Sequence, residues 1–252
     1  MSIESANNKI IKQIISLGDK KARDESGLFV VEGQKQVSEI PGDWPVEYFV
    51  TAHDSNMPGG AKTYIVSQDM LRKISDTDTP QGILAVVHKK HYDIKEVLKG
   101  DRGLFLLLDT IQDPGNLGTI IRTAHAYGVK GVFISKNSVD VFSPKVVRAT
   151  MGSVFKVPLF QECLPEQIMA EFINESIKTY ALAINSNMYV SDTKFADKTA
   201  LIVGNESKGI GDSILKAADY SVKIKMLSDI DSLNAAVACS IALYEASGQI
   251  SF

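Results

Sequence analysis

The chain has 252 residues, 44% apolar and 23% charged, with a formal net charge of −3. This is enough apolar material for one large or two modest cored domains, and it excludes a disordered chain. The mild acidity argues against a protein that coats nucleic acid non-specifically, but it leaves room for a local basic patch.

Ile10, Ile11, Ile14, Ile15 and Leu17 recur at helical spacing in Asn7–Leu17. Asp19–Ser26 reads as a charged turn. Leu28–Val31 is a short apolar run, and Glu32-Gly33 leads into a helix over Gln34–Ile40. Val46–Thr51 reads as a strand and His53–Gly60 as a loop rich in turn residues. Ser67–Ile74 reads as a helix capped by Ser67, and Gly82–Val87 as a strand. Residues 1–90 therefore form a small α/β domain. Residues 91–103 are charged and bounded by glycine, and they read as a linker with a short helix at Ile94–Leu98.

Residues 104–252 are more regular. Strands are expected at Leu104–Leu108, Val132–Ser135, Thr179–Ile184, Thr199–Val203 and Tyr220–Ile224. Helices are expected at Gly118–Tyr127, Lys145–Met151, Glu166–Ser176, Ile210–Ala217 and Leu233–Ser247. Such alternation predicts a parallel, doubly wound sheet. No apolar run reaches the length of a membrane span, and Met1–Asn8 is unlike a signal peptide. Cys163 and Cys239 have no partner at metal-ligand spacing and read as core thiols in a reducing cytoplasm. No metal site is expected.

Three segments carry chemistry. In Leu108–Ala124, a buried strand runs into Asp113-Pro114-Gly115-Asn116 and then a helix bearing Arg122, which is suited to phosphate. In Leu201–Gly211, a strand ends in Gly204-Asn205-Glu206-Ser207-Lys208-Gly209. This is neither a Walker loop nor a dinucleotide fingerprint. In Val222–Ala238, a strand leads through a loop to Ser232-Leu233-Asn234 and an apolar helix. There Ser232 suits an N-cap, and a buried Asn234 would need partners. Each segment alone could be a plain turn between a strand and a helix. All three lie at strand carboxyl ends, where open α/β sheets bind ligands.

Together, and in this order, the three segments resemble the SpoU/TrmH group of SPOUT RNA 2′-O-ribose methyltransferases over about residues 104–248. Residues 7–40, with Lys21-Ala22-Arg23 and Phe29-Val30-Val31-Glu32-Gly33, are similar to the L30e-like substrate-binding domain often found ahead of that catalytic domain. The resemblance implies an S-adenosylmethionine-dependent enzyme that acts on a ribose 2′-hydroxyl. It also implies a homodimer and a catalytic domain tied as a trefoil α/β knot. Matched position by position, Asn116, Arg122, Glu206, Ser232 and Asn234 would form the reaction site, and Gly204, Ile224, Met226 and Leu233 would frame the cofactor. The family often has Pro where Lys225 stands and Gly near Leu227–Ser228. The loop Lys225–Asp229 therefore implies a different backbone path or an unusual charge.

By the same resemblance Arg122 is the candidate base. Since arginine normally keeps its proton, the role expected of it is to bind an RNA phosphate and help to polarise or accept the hydroxyl proton. His125, on the same helix face, is the titratable alternative. Lys20, Lys21, Arg23, Lys145 and Arg148 are candidate RNA contacts. The expected substrate is RNA, and by analogy the accessory domain fits rRNA better than tRNA. Two rivals are a non-catalytic RNA-binding or ribosome-associated protein on the same scaffold and an unrelated α/β enzyme for a small metabolite.

Overall fold

The computed structural model describes residues 2–52, 60–228 and 232–250. The loop expected at His53–Gly60 lies outside them except for Gly60. The chain divides into two compact units, one of residues 1–90 with 140–155 and one of 91–139 with 156–252. Residues 140–155 lie in sequence between two parts of the second unit, yet they pack with the first. The expected division placed them in the second domain.

The first ninety residues contribute β1 (Ser2–Ile3), α1 (Lys9–Ser16), α2 (Lys20–Ser26), β2 (Leu28–Glu32), α3 (Gln34–Ser38), β3 (Val46–Thr51), β4 (Lys62–Val66), α4 (Gln68–Ile74) and β5 (Ile83–His88). Then come α5 (Ile94–Leu98), β6 (Gly103–Leu108), α6 (Pro114–Ala126), β7 (Gly131–Ser135), α7 (Pro144–Thr150), β8 (Leu159–Cys163) and α8 (Pro165–Asn174). The chain continues through β9 (Lys178–Leu182), β10 (Lys198–Val203), α9 (Asp212–Ala217), β11 (Tyr220–Val222) and α10 (Ala235–Ser247).

In the first unit a mixed five-stranded sheet runs β1-β4-β3-β5-β2. Helix α1 buries Ile11 and Ile14 and leaves Ile15 facing out, and Asn8 Oδ1 caps it by accepting from Ile10 N–H at 2.9 Å. Ser67 caps α4 in the same way, accepting from Met70 N–H at 3.1 Å. The span expected as a charged turn is the helix α2, and a buried arginine holds it. Arg23 is only 3% exposed. Its Nε and Nη2 donate to Asp140 Oδ2 at 2.8 and 2.6 Å, and Nη1 donates to the carbonyls of Leu17 and Gly18 at 2.7 and 2.8 Å. Arg23 is thus a structural cation with no free donor edge for phosphate, which corrects its place among the RNA contacts.

The second unit is a six-stranded sheet, β11-β9-β10-β6-β7-β8, with every pair parallel. The central strand β6 (GLFLLL) is buried along its whole length, as a strand covered on both faces requires. After β8 the chain crosses to β9 on the far side, and β10 then fills the place between β9 and β6. The carboxyl ends of adjacent strands diverge at such a switch in direction, and a crevice opens there. Helix α6 starts earlier than expected, because Pro114 takes the first helical position and Asp113 Oδ1 caps it by accepting from Asn116 N–H at 2.7 Å.

Candidate active site

A cavity of about 530 Å³ opens at the carboxyl ends of β9, β10 and β11. Gly204, Glu206, Ile224, Met226, Ser232 and Leu233 all line it, so six of the expected site residues share one crevice. The volume is within the range of small-molecule and cofactor sites.

Close packing shapes its floor. A Cβ on Gly204 would sit 2.2 Å from the carbonyl carbon of Gly209 and 2.4 Å from Ile210 N, so only glycine fits without moving backbone. The loop closes on itself, with Asn205 N–H donating to Gly209 O at 3.0 Å and Gly209 N–H to Asn205 O at 2.9 Å. Gly209 turns the chain with φ +71°. Asn205 Oδ1 accepts from the N–H groups of Ser207 and Lys208 at 2.9 and 3.0 Å, while its Nδ2 donates to Thr110 O at 2.9 Å.

The loop after β6 is braced to it. Buried Asp109 accepts from Gly211 N–H at 2.9 Å and from Thr110 Oγ1–H at 2.9 Å. Thr110 itself has φ 61°, a left-handed conformation that is costly for a β-branched residue. Its N–H is held by Ser135 Oγ at 2.8 Å. Sequence reasoning assigned no role to Asp109, Thr110 or Asn205. The available signal was an acidic residue at the end of a fully apolar strand.

Three motif residues form one hydrogen-bond relay. Asn234, not Ser232, is the N-cap of α10, accepting through Oδ1 from the N–H groups of Ala236 and Val237 at 2.9 and 3.3 Å. That fixes its Nδ2 as the donor, which reaches Asn116 Oδ1 at 2.8 Å. Asn116 must then turn its own Nδ2 outward, and it donates to Glu206 Oε1 at 2.5 Å. The helix end therefore dictates the orientation of both amides and the direction of the relay. Glu206 Oε2 carries no hydrogen bond among the described residues.

Arg122 stands apart. It is exposed on α6 and makes no hydrogen bond or ion pair among the described residues. The helix it rides on packs against α10, with Thr123 Oγ1 3.2 Å from Ser240 Oγ.

The loop after β11 is described as far as Ser228, so Asp229 of the expected departure lies outside. Lys223 and Lys225 both place their ammonium groups over the ring of Tyr189, 5.2 and 5.9 Å from its centroid. Backbone pairing reinforces the clasp, since Lys223 N–H donates to Met188 O and Val190 N–H to Lys223 O, both at 2.8 Å. Lys225 thus has a contact that the ring of proline could not make.

The remaining candidates lie in the first unit. Lys20 pairs with Asp24 at 2.8 Å, Lys21 lies 3.9 Å from Glu25 and is largely exposed, and Lys145 is exposed. Arg148 pairs with Asp76 at 2.7 Å. Burial raises the thiols of Cys163 to about 11 and Cys239 to about 12. No group of three or more His, Cys, Asp or Glu residues among the described residues is arranged to hold a metal ion, and no described helix is long and apolar enough to cross a membrane.

An all-parallel sheet with a ligand-sized crevice at its strand ends defines an α/β protein of the nucleotide- or cofactor-binding class. Residues 103–244 match the SpoU rRNA Methylase family, and the chain belongs to it. Residues 8–85 match the MRM3-like substrate binding domain. The chain is 33% identical over 251 residues to the 23S rRNA (guanosine(2553)-2′-O)-methyltransferase RlmP of Bacillus subtilis, covering 98% of this chain and 99% of that protein. An AdoMet-bound rRNA methyltransferase from Sinorhizobium meliloti superposes with a TM-score of 0.87 at 28% identity, over 100% of this chain and 99% of that one. The SpoU methyltransferase AviRb from Streptomyces viridochromogenes, also in complex with AdoMet, superposes with a TM-score of 0.88 at 28% identity, covering 96% and 98%.

Proposed function

We propose that this protein transfers a methyl group from S-adenosylmethionine to a ribose 2′-hydroxyl, in rRNA rather than tRNA. The observation that carries this reading is the strand-end crevice, in which Glu206 is tied through Asn116 to the Asn234 cap of α10. When bound, the cofactor supplies an electrophilic methyl on a sulfonium. The chain supplies positioning and electrostatics. Gly204 keeps the floor open for close backbone approach, while Ile224, Met226 and Leu233 provide apolar walls. Asn116 and Asn234 hold Glu206 in one orientation, leaving Oε2 as a fixed acceptor for a substrate hydroxyl or a cofactor group. Arg122 brings a permanent positive charge with unused donors, suited to a substrate phosphate and to the alkoxide that develops as the hydroxyl loses its proton. Ser232, on the crevice wall, is a further hydroxyl for the reaction site.

The working unit in this reading is a homodimer. Helix α10 is apolar over most of its length, yet Val237 and Tyr244 are 47% and 63% exposed on it. Tyr244 meets Tyr127, the C-cap residue of α6, edge-on, with centroids 6.1 Å apart, so the apolar surface continues to the end of α6. A second copy of the chain is the occupant that covers it. Residues 1–90 act as the substrate-binding domain, 91–103 as the linker and 104–252 as the catalytic domain, and the protein works in the cytoplasm.

The test is methyl transfer from labelled S-adenosylmethionine to rRNA from cells that lack the enzyme, followed by digestion to nucleosides. The expected product is a 2′-O-methylnucleoside at one position. Label on a base would overturn the ribose assignment. Tight cofactor binding without transfer to any RNA would favour the non-catalytic rival.

A further inference from the structure

The first unit holds a cavity of about 190 Å³, walled by Ile15, Val30, Ile74 and Val147 together with Gln36 and four charged residues. Three properties point to its ligand.

Its charges balance, and three of the four are engaged, Lys73 alone making no hydrogen bond or ion pair among the described residues. Glu32 and Asp76 oppose Lys73 and Arg148. Arg148 is paired with Asp76 at 2.7 Å. Glu32 Oε1 accepts from Ser75 Oγ and from Thr77 Oγ1, and Glu32 Oε2 accepts from Asp76 N–H at 3.0 Å. A phosphate entering here would meet one exposed lysine, but also two carboxylates and an arginine already paired, so a neutral group is favoured.

The second property is an unused acceptor. Gln36 is 7% exposed, and its Nε2 donates to Arg148 O at 3.2 Å. Its Oε1 is buried and meets no donor. Flipping the amide would set Oε1 against the Arg148 carbonyl oxygen, so the orphan is the oxygen and not the nitrogen. Buried polar atoms rarely go unpaired, and a ligand N–H would satisfy this one.

Third, the cavity is smaller than the ~300 Å³ at which sites for drug-sized ligands begin. A volume of this size suits a flat ring rather than a whole nucleotide, and Ile15, 56% exposed, offers an apolar face at its edge.

We infer that this cavity takes one unstacked neutral nucleobase of the RNA, whose N–H donates to Gln36 Oε1. The inference rests on the RNA methyltransferase reading above. Sequence-specific RNA recognition commonly seats an unstacked base against apolar or aromatic side chains and reads its edge by hydrogen bonds. Oε1 is shielded from solvent, so the proposed contact requires the Gln36 amide to turn toward the cavity as the base seats.

The experiment is a titration of the full chain, ¹³C-labelled at isoleucine methyls, with AMP, CMP, GMP, UMP and, separately, ribose 5-phosphate. The expected result is that the Ile15 and Ile74 methyls shift with at least one mononucleotide and stay fixed with ribose 5-phosphate. Gln36→Leu should weaken that binding about 10-fold while the protein stays folded. It should also raise the KM for rRNA without changing the Kd for S-adenosylmethionine. Equal shifts with ribose 5-phosphate, or none with any mononucleotide, would overturn the inference. So would Gln36→Leu binding bases normally, which would mark the orphan oxygen as a packing defect. Methyl transfer by the wild type alongside a silent titration would sink the base site alone. Base binding without methyl transfer would support the base site and remove the enzyme reading.

Discussion

Arg23 and Arg122 lie in different units and share little beyond the guanidinium group. Arg23 spends its donors on Asp140 and two carbonyls in a water-excluded corner. Arg122 faces solvent on α6 with no partner among the described residues. The first is held by the fold, and the second is held in readiness by a rigid helix. A charge that already has its counter-charge cannot be offered to a substrate. A charge carried on a braced element without a counter-charge is the kind that can.

Exchanging either residue for alanine should separate these roles. Arg122→Ala should lower kcat for rRNA about 10³-fold if its charge stabilises the developing alkoxide, with Tm and the Kd for S-adenosylmethionine unchanged. Turnover near the wild-type rate would take Arg122 out of the mechanism and turn attention to His125. Arg23→Ala should act in the opposite sense. Leaving Asp140 buried and unpaired costs about 3–5 kcal/mol of stability in urea unfolding, while S-adenosylmethionine still binds to the folded fraction with wild-type affinity. A stability loss below about 1 kcal/mol, the level of a surface pair, would contradict the burial of this corner.

Arg23 also shows where sequence reading stops. Lys20–Ser26 has no apolar periodicity, so nothing local distinguishes a helix from a charged turn. The partner that decides it, Asp140, is 117 positions away. The short strands β4 and β8 carry no sequence signal for a related reason, since Lys62–Val66 and Leu159–Cys163 are half polar and too brief to show a period. By contrast β6, β7 and β10 were plain as apolar runs, because both their faces are covered. At the site, the motif residues were legible as residue types at strand ends. Which of Ser232 and Asn234 would cap α10 was not, since both are good caps and only the backbone geometry chooses. The relay joins the first turn of α6, the loop after β10 and the cap of α10, and no spacing within any one of these segments encodes it.

The crevice floor is the counterpart of Arg122, a part of the site that must be finished before any ligand arrives. Gly204→Ala forces a methyl into the Gly209–Ile210 backbone. Overpacking of this kind costs about 1–3 kcal/mol, and here the loop moves to relieve it. The Kd for S-adenosylmethionine should therefore rise roughly 5- to 150-fold by that same energy, with the Tm falling by a few degrees. An unchanged Kd would show that the cofactor does not use this floor.

The smallest expected effect is a pH dependence, and it bears on the scaffold of the second unit. Asp219 stands just before β11 and accepts from Lys178 Nζ at 2.9 Å, Thr179 N–H at 3.0 Å and Thr179 Oγ1–H at 2.8 Å at the start of β9. Burial pushes its pKa up, but the bonds from Lys178 and Thr179 outweigh this and leave it below the ordinary 3.8. A folded-state pKa below the unfolded one stabilises the protein fully above the unfolded value, and the benefit is lost as pH falls through the folded value. Asp219→Asn should therefore lower the urea midpoint at pH 7, and the gap to wild type should close as pH drops toward 3. Asp24 in the first unit is also lowered, chiefly by its bond to Lys20 and then by Lys89, but it is 44% exposed on a salt-screened surface. High salt should shrink the pH effect of Asp24→Asn more than that of Asp219→Asn. Equal salt sensitivity would mean that the β9–β11 link is no better shielded than a surface pair. The outer edge of the crevice would then rest on its backbone pairing and the Tyr189 clasp.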